Sequence, residues 1–513
     1  MRISYTKLLS PVIVLLAVMF PYKQVSAQKT LSAYTDIVTY INADTTSSGA
    51  RKNTSYILSK DSLYFAIGTI QNNFDLSITA GGSGTAKPQI MVLTDESGNN
   101  AKIFKPHADL YLNGLYISGV DNSGKQLGDL IETGATNISI SLKNCTIDSV
   151  KNRIVIADQD SCSVYFEDCY ISNLANGSHS GRILDARETV LDTVSFVNNT
   201  FYNVMHCLIN RFSGGQKYFR FDHNTIYNFP RAVLRIDVCP DIVVKNNLFI
   251  QTGWCGYLNS WESYISALDM GDRDEWSRIE IWPVDSSAVF AGSTQKINFK
   301  HNNFWMDPAI TAIYPDSVHA YRTLDFDFEK QMVGADTLTW LNENVAFKNV
   351  PNCKYTEMCK EEWADGSPQT NPGFTDDTRP YYFTYSTTSA SYTAAENGLP
   401  LGDLNWWPDK KAQWLTDVKT NVTTVPAKYT LSQNYPNPFN PSTVISYSIP
   451  KESRVTLKVY NVLGKEVATL VNSNQKAGEY KMQFNASKLA TGVYFYTISA
   501  GDFVNTKKML LIK

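Results

Sequence analysis

A six-residue pattern returns along the chain and constrains the fold more than any other feature. It runs apolar, variable, Asn/Asp/His, small or Asn, variable, apolar. It reads Leu142-Lys143-Asn144-Cys145-Thr146-Ile147, Phe166-Glu167-Asp168-Cys169-Tyr170-Ile171 and Phe196-Val197-Asn198-Asn199-Thr200-Phe201. It continues as Phe221-Asp222-His223-Asn224-Thr225-Ile226, Val244-Lys245-Asn246-Asn247-Leu248-Phe249 and Phe299-Lys300-His301-Asn302-Asn303-Phe304, with a slightly shifted copy over residues 112–117. The first apolar positions are separated by 30, 24, 30, 25, 23 and 55 residues, so the last step is two coils or one coil with a long insertion. A unit this short cannot bury its own apolar face, so units must stack. Stacked as a parallel β-helix, equivalent residues lie about 4.8 Å apart. Leu142, Phe166, Phe196, Phe221, Val244 and Phe299 then form one interior ladder, and Ile147, Ile171, Phe201, Ile226, Phe249 and Phe304 another. Between them, Asn199, Asn224, Asn247 and Asn302 share a turn column with Gly114, Cys145 and Cys169. Asn and Gly suit the left-handed backbone of a sharp corner, and stacked amides can bond to one another.

A second strand motif precedes each repeat by ten to twelve residues: Asp129–Glu132, Arg153–Ile156, Arg182–Asp185, Cys207–Arg211 and Ala232–Arg235. A leucine-rich repeat would need several fixed leucines per turn, and a propeller would need larger blades with hairpins. The expectation is therefore an all-β chain: a right-handed parallel β-helix followed by a small C-terminal antiparallel β-sandwich. Residues 28–105 read as an N-terminal cap with the first strands, 106–350 as the β-helix and 351–418 as a closing segment wrapping one end or one face. The polar stretch 419–429 suits a linker, and 430–513 a separate domain.

Residues 1–27 have the order of a secretory signal peptide. Arg2 and Lys7 precede the apolar run Val12–Phe20, and Val25-Ser26-Ala27 supplies small residues before Gln28. That run is short for a bilayer span, so the mature chain is expected to carry no transmembrane helix. The eight cysteines are too sparse for a disulfide scaffold and contain no CxxC pair. Cys353 and Cys359 are close enough in sequence to bridge in an oxidising compartment. With 46 Lys and Arg against 49 Asp and Glu, the chain lacks the charge of a nucleic-acid binder. Six histidines argue against a multi-histidine metal enzyme, while 12% aromatic residues favour β structure and a sugar-stacking surface.

Two resemblances rest on these residues. Residues 430–513 resemble a type IX secretion C-terminal sorting domain. Tyr435-Pro436-Asn437-Pro438-Phe439-Asn440-Pro441, Val459–Gly464, Ala490–Tyr496 and the ending Lys507–Lys513 carry the likeness. It implies a small β-sandwich read by an outer-membrane export machine, and hence a secreted or surface-held protein. Residues 28–407 resemble, in architecture, the secreted β-helix proteins of the pectate-lyase and chondroitinase-B-like group. The Asn corners, Asn371–Asp376 and Gly398–Trp406 carry that likeness; the Arg-His-Gly triplet of such lyases does not occur. It implies a polysaccharide partner, uronate-bearing where the activity is that of a lyase acting by β-elimination.

Such chemistry needs a neutralised carboxylate, a base for the C5 proton and an acid for the leaving oxygen. On a β-helix these come from outward columns of neighbouring coils. The best cluster is Asp185, Arg187, Asn210, Arg211 and Arg235, with Asp185, Asn210 and Arg235 at similar positions in successive coils. Arg211 or Arg235 suits a base or carboxylate clamp and Lys217 an alternative base, with Asn210 beside them. Asp185 with Glu188 or Glu132 is a candidate Ca2+ pair. Arg–Asp pairs across coils also satisfy one another without any chemistry. His223, which replaces Asn in a corner column, reads as a corner residue. Lys143, Lys245 and Lys300 share an outward column with Glu167 and Asp222, which reads as a solvated ladder. The segment 252–296 holds Trp254, Trp261 and Trp276 among carboxylates, and these rings with Arg187 are candidates for sugar binding. The alternative is a non-catalytic glycan-binding or adhesion module.

Overall fold

Alternation within each repeat turns one apolar residue in two inward, and the paired corner residues then redirect the chain onto a second sheet. The computed structural model describes residues 28–93, 102–121, 123–174, 181–186, 188–204, 206–210, 214–229, 232–236, 238–253, 277–281, 290, 292–312, 322–324, 340–350, 381–421, 429–431, 434, 437, 439–449, 453–462, 464–475, 478–487, 489–501 and 503–511. It divides into two compact units, one ending at Lys411 and the other running from Ala412 to Lys513.

The first unit is a parallel β-solenoid of three sheets with ten, ten and seven strands. One coil illustrates the plan. Ser163–Glu167 lies in the first sheet, Tyr170–Leu174 in the second and Arg182–Asp185 in the third. The expected interior column is in register: Leu142 pairs with Phe166, Phe166 with Phe196, Phe196 with Phe221, Phe221 with Val244 and Val244 with Phe299. Phe166 and Phe196 stack at 5.0 Å, and Phe196 meets Phe221 at 5.9 Å. The 55-residue step is a single coil, because Asp241–Lys245, Leu248–Thr252, Ser277–Ile281 and Lys296–Lys300 take the three sheets once and return to the first. The solenoid also begins earlier than expected. Strands between Gln28 and Leu93 are full members of the first two sheets, and the helix Ile37–Ala43 buries Ile37, Val38 and Ile41 beside them.

The corner between the first two sheets corrects one expectation. The left-handed residue is the first of each pair, not the second: φ is 49° at Asn144, 58° at Asp168, 60° at Asn198, 55° at His223, 61° at Asn246 and 53° at His301. Register sets Gly114 opposite Asn144, so it belongs to that first column and Leu115 stands level with Cys145. The second column does different work. The Oδ1 of Asn224 accepts from the Asn199 backbone N–H at 3.0 Å and from its Nδ2 at 2.9 Å, while Asn224 Nδ2 donates to the Phe196 carbonyl at 3.0 Å. Asn247 and Asn302 repeat the arrangement one coil on each time. Cys145 and Cys169 donate their thiols to the Leu112 and Leu142 carbonyls at 3.6 and 3.4 Å, the same backbone positions. A second amide row, Asn173, Asn203 and Asn228, lines the far end of the second sheet with bonds of 3.0 and 2.8 Å.

Residues 381–411 form a strap along the first corner, running against the order of the coils. Ala394 accepts from His301, the Asn246 carbonyl accepts from Gly402 N–H at 2.8 Å, Leu404 N–H donates to Asn198 Oδ1 at 3.0 Å, and Lys411 reaches Asp168 at 2.5 Å. Phe383 packs its ring among Tyr170, Tyr202, Tyr227 and Trp406. The charge column under the strap is not a solvated ladder. Lys143 and Glu167 pair at 2.9 Å near solvent, but Asp222 and Lys245 are buried. Burial alone would raise the Asp222 carboxyl; Lys245, Arg220 and His223 outweigh it and hold the group well below the usual range. Lys245 also pairs with Glu396 of the strap. His223 is the expected corner residue, and burial pushes its imidazole pKa down.

Asp403 anchors the middle of the strap. It accepts from Thr200 Oγ1 at 2.7 Å and from Asn405 N–H at 2.9 Å, and burial raises its carboxyl from the usual 3.8 to about 7. The folded chain therefore binds this proton more tightly than the unfolded one. Stability falls as pH rises from about 4 to about 7 and stays reduced above that window. Asp403→Asn keeps the acceptor for Asn405 and removes the charge. Thermal unfolding at pH 5 and pH 8 should show a smaller loss across that interval for the variant than for the parent; equal losses would contradict the assignment.

The second unit carries two antiparallel sheets of three and four strands. Ile445 and Tyr447 from the first meet Leu457, Val459, Tyr496, Ile498 and Met509 from the second in one core, which makes it the expected β-sandwich. Residues 419–421, expected in the linker, extend the helix Pro408–Asn421. The stretches 1–27, 94–101, 254–276 and 351–380 lie outside the described residues, and with them the signal-peptide segment and the Cys353–Cys359 pair. The described cysteines Cys145, Cys162, Cys169, Cys207 and Cys239 are buried.

Candidate functional site

The third sheet is where the expected chemistry converges. Its inward column, Ile131, Val155, Leu184, Ile209, Leu234 and Ile279, is apolar and buried, so the next residue of each strand shares a common position on the stack. That neighbouring position holds Glu132, Ile156, Asp185 and Asn210 in direct register. Ile209 pairs with Leu234 and Arg235 with Glu280, so Arg235 follows Asn210 in the same column. The structure thus brings Asp185, Asn210 and Arg235 to the equivalent positions that the sequence implied. Arg235 is half-buried.

Electrostatics sort the rest. Arg153 grips Asp129 with both Nε and Nη2, at 2.7 and 3.0 Å, and reaches Asp185 at 3.3 Å. Arg182 meets the same Asp185 oxygen at 3.1 Å. The Asp185 side chain is only 1% exposed, so two guanidinium groups serve one buried carboxylate. The Asp129 hydrogen bonds raise the Arg153 pKa, against burial. One end of the column carries Glu132, where burial would raise the carboxyl but Lys102 and Lys105 outweigh it and hold it below the usual range. Arg153, Arg182 and Asp129 were not among the candidate site residues. Their signal was present: opposite charges at the first position of successive third-sheet strands.

Other candidates separate from this cluster. Lys217 lies on the first sheet, across a corner from Asn210, where it is exposed and pairs with Asp192 at 2.6 Å. Glu188 stands exposed at a turn with φ of 56°, after the strand that carries Asp185. A Ca2+ ion held by Asp185 and Glu188 would have to draw the Asp185 carboxylate away from Arg153 and Arg182. Among the described residues no group of three or more His, Cys, Asp and Glu side chains converges on a common point. Arg187, Arg211, Trp254, Trp261 and Trp276 lie outside the described residues. Chemically, the described part of the sheet offers a partly buried Arg–Asp lattice continuing into a column with Asn210 and Arg235. Such a face can hold the carboxylates of an extended anion.

Residues 433–513 match the family described as a secretion system C-terminal sorting domain, which directs the chain through type IX secretion to the cell surface or outside. No curated protein and no solved structure matches the chain. Among the described residues no helix is long and apolar enough to cross a membrane.

Proposed function

We propose that this exported β-helix engages an acidic polysaccharide along the outer face of its third sheet, and that the chemistry there is uronate β-elimination. The observation that supports the reading is the shared column of Asp185, Asn210 and Arg235, flanked by Arg153 and Arg182. Strand spacing of about 4.8 Å gives a rigid row of polar positions suited to an extended chain. In this reading Arg235 or Arg211 clamps the uronate carboxylate or takes the C5 proton, and Asn210 contributes a hydrogen bond to the carboxylate; the C4–O bond breaks as the C4–C5 double bond forms, and the proton taken from C5 is returned to the leaving oxygen. Lys217 is the alternative base and would have to leave Asp192. Arg187 and the rings of Trp254, Trp261 and Trp276 supply further contacts to the sugar. Ca2+ at Asp185 and Glu188 is the metal-assisted version.

A second reading, a non-catalytic glycan-binding or adhesion module, is favoured by the mutual pairing of Asp129, Arg153, Asp185 and Arg182. Such pairs hold a surface together without performing chemistry. Incubation of the mature chain with pectin, alginate and chondroitin, with and without Ca2+, separates the two. Growth of the unsaturated-uronate absorbance, lost in Arg235→Ala, is the expected result. Binding without that absorbance favours the second reading. Neither absorbance nor binding removes both.

A further inference from the structure

Away from the third sheet, Lys87 stands outside the ion-pair lattices. Lys87 lies just before the strand Gln89–Leu93 of the second sheet, and its Nζ donates to Thr146 Oγ1 at 3.0 Å, two coils further on. An ammonium carries three donors. Among the described residues this is its one hydrogen bond, and it has no ion pair. The nearby Asp168 carboxylate is engaged by Lys411 at 2.5 Å. Burial pushes the Lys87 ammonium pKa down, ahead of the attraction of the Cys145 and Cys169 thiols and Asp168. A charge drawn partly out of water with so few partners costs stability.

Its surroundings are specific. Tyr116, Thr146 and Tyr170 are in register on three successive strands, each outward and half-buried, alternating with the inward Ile117, Ile147 and Ile171. The two tyrosines therefore flank Thr146, one strand spacing of about 4.8 Å to either side. Trp406 extends the aromatic surface, its ring 6.0 Å from that of Tyr170 and its indole N–H fixed on Thr200 at 2.8 Å. Phenol rings beside a cation and a hydroxyl match the face of a pyranose that carries an anionic substituent.

We propose that Lys87, Tyr116, Thr146 and Tyr170 form a binding subsite for an anionic sugar. The sugar ring lies against Tyr116 and the edge of Tyr170, whose ring is held by Tyr202, Phe383 and Trp406, and its carboxylate or sulfate takes the free N–H donors of Lys87. The subsite is on the second sheet and stands whether or not the third sheet binds glycan.

The test is calorimetric titration of the mature chain with three tetramers: an oligogalacturonate, a sulfated galactan and a neutral cello-oligosaccharide. One or both anionic tetramers should bind at least about tenfold more tightly than the neutral one, and which of them binds distinguishes carboxylate from sulfate. Lys87→Met should weaken that binding by about tenfold or more while leaving the melting temperature unchanged or higher, a combination that a purely structural lysine would not give. Tyr116→Ser removes a half-buried ring and should weaken binding as well, which keeps the test available if the first variant folds poorly. The Lys87→Met comparison is repeated in an Arg235→Ala background, which removes the third-sheet clamp; binding that persists there and is lost with Lys87 belongs to the second sheet, so failure of the third-sheet reading is seen separately. Unchanged binding in Lys87→Met, or no binding of any of the three tetramers, overturns the proposal.

Discussion

Asn224→Leu is expected to cost about 5 kcal/mol of β-helix stability, because it leaves the Asn199 backbone N–H, one Asn199 side-chain N–H and the Phe196 carbonyl without these partners in a dry corner, at about 1–3 kcal/mol for each orphaned group, while Asn247 Oδ1 keeps the backbone N–H of residue 224. Leucine matches the amide in size, so the loss reports hydrogen bonding more than volume. Asn224→Cys is the informative companion. A thiol at Cys145 and Cys169 already serves the equivalent carbonyls, so cysteine should retain the bond to Phe196 and cost roughly half as much. Urea unfolding followed by far-ultraviolet circular dichroism measures both. A loss below about 1 kcal/mol for the leucine variant would mean that the amide ladder contributes little beyond packing.

Phe196→Ala should be nearly as damaging. The ring is fully buried, stacks on Phe166 at 5.0 Å and meets Phe201 and Phe221 at 5.9 Å each. Removing it loses the transfer energy of an aromatic ring and leaves a cavity that rigid neighbouring coils cannot close, for about 4 kcal/mol. Phe196→Leu keeps most of the volume and should cost about 1–2 kcal/mol. Because each coil touches only its neighbours, a mid-stack gap should also broaden the transition as the two halves melt apart. Equal and small effects of the two substitutions would show that the interior column is not close-packed at this level.

Much of this architecture was legible because in-register stacking sets every coil the same problem. Phe166, Phe196 and Phe221 had to be alike since each covers the last, and their spacing disclosed the period. Asn210 and Arg235 were placed correctly relative to Asp185 by the same logic. Lys217 was not: it is close to Asn210 in sequence, but the intervening corner moves it to another sheet. The left-handed position was misassigned because both residues of an Asn-Asn corner tolerate that backbone, and only register tells them apart. The second amide row was readable in Ser172-Asn173-Leu174, Tyr202-Asn203-Val204 and Tyr227-Asn228-Phe229, where Asn recurs between an outward residue and an apolar one. The burial of Asp222 and Lys245 was out of reach, since what covers them has no repeat of its own.

The strap has a kinetic consequence. Its bonds join residues separated by 93 positions at His301 and Ala394 and by 243 at Asp168 and Lys411. Such distant partners meet only after the loop-closure entropy of everything between has been overcome, so they form slowly. Coils can zip up locally one upon another, but the corner that Asp403 and Leu404 seal must wait until the last of them is wound. A chain emerging from synthesis amino end first would therefore spend an interval with Tyr202 and Tyr227 wet and Asp222 hydrated. Maturation would finish with a single late event, the laying down of some thirty residues.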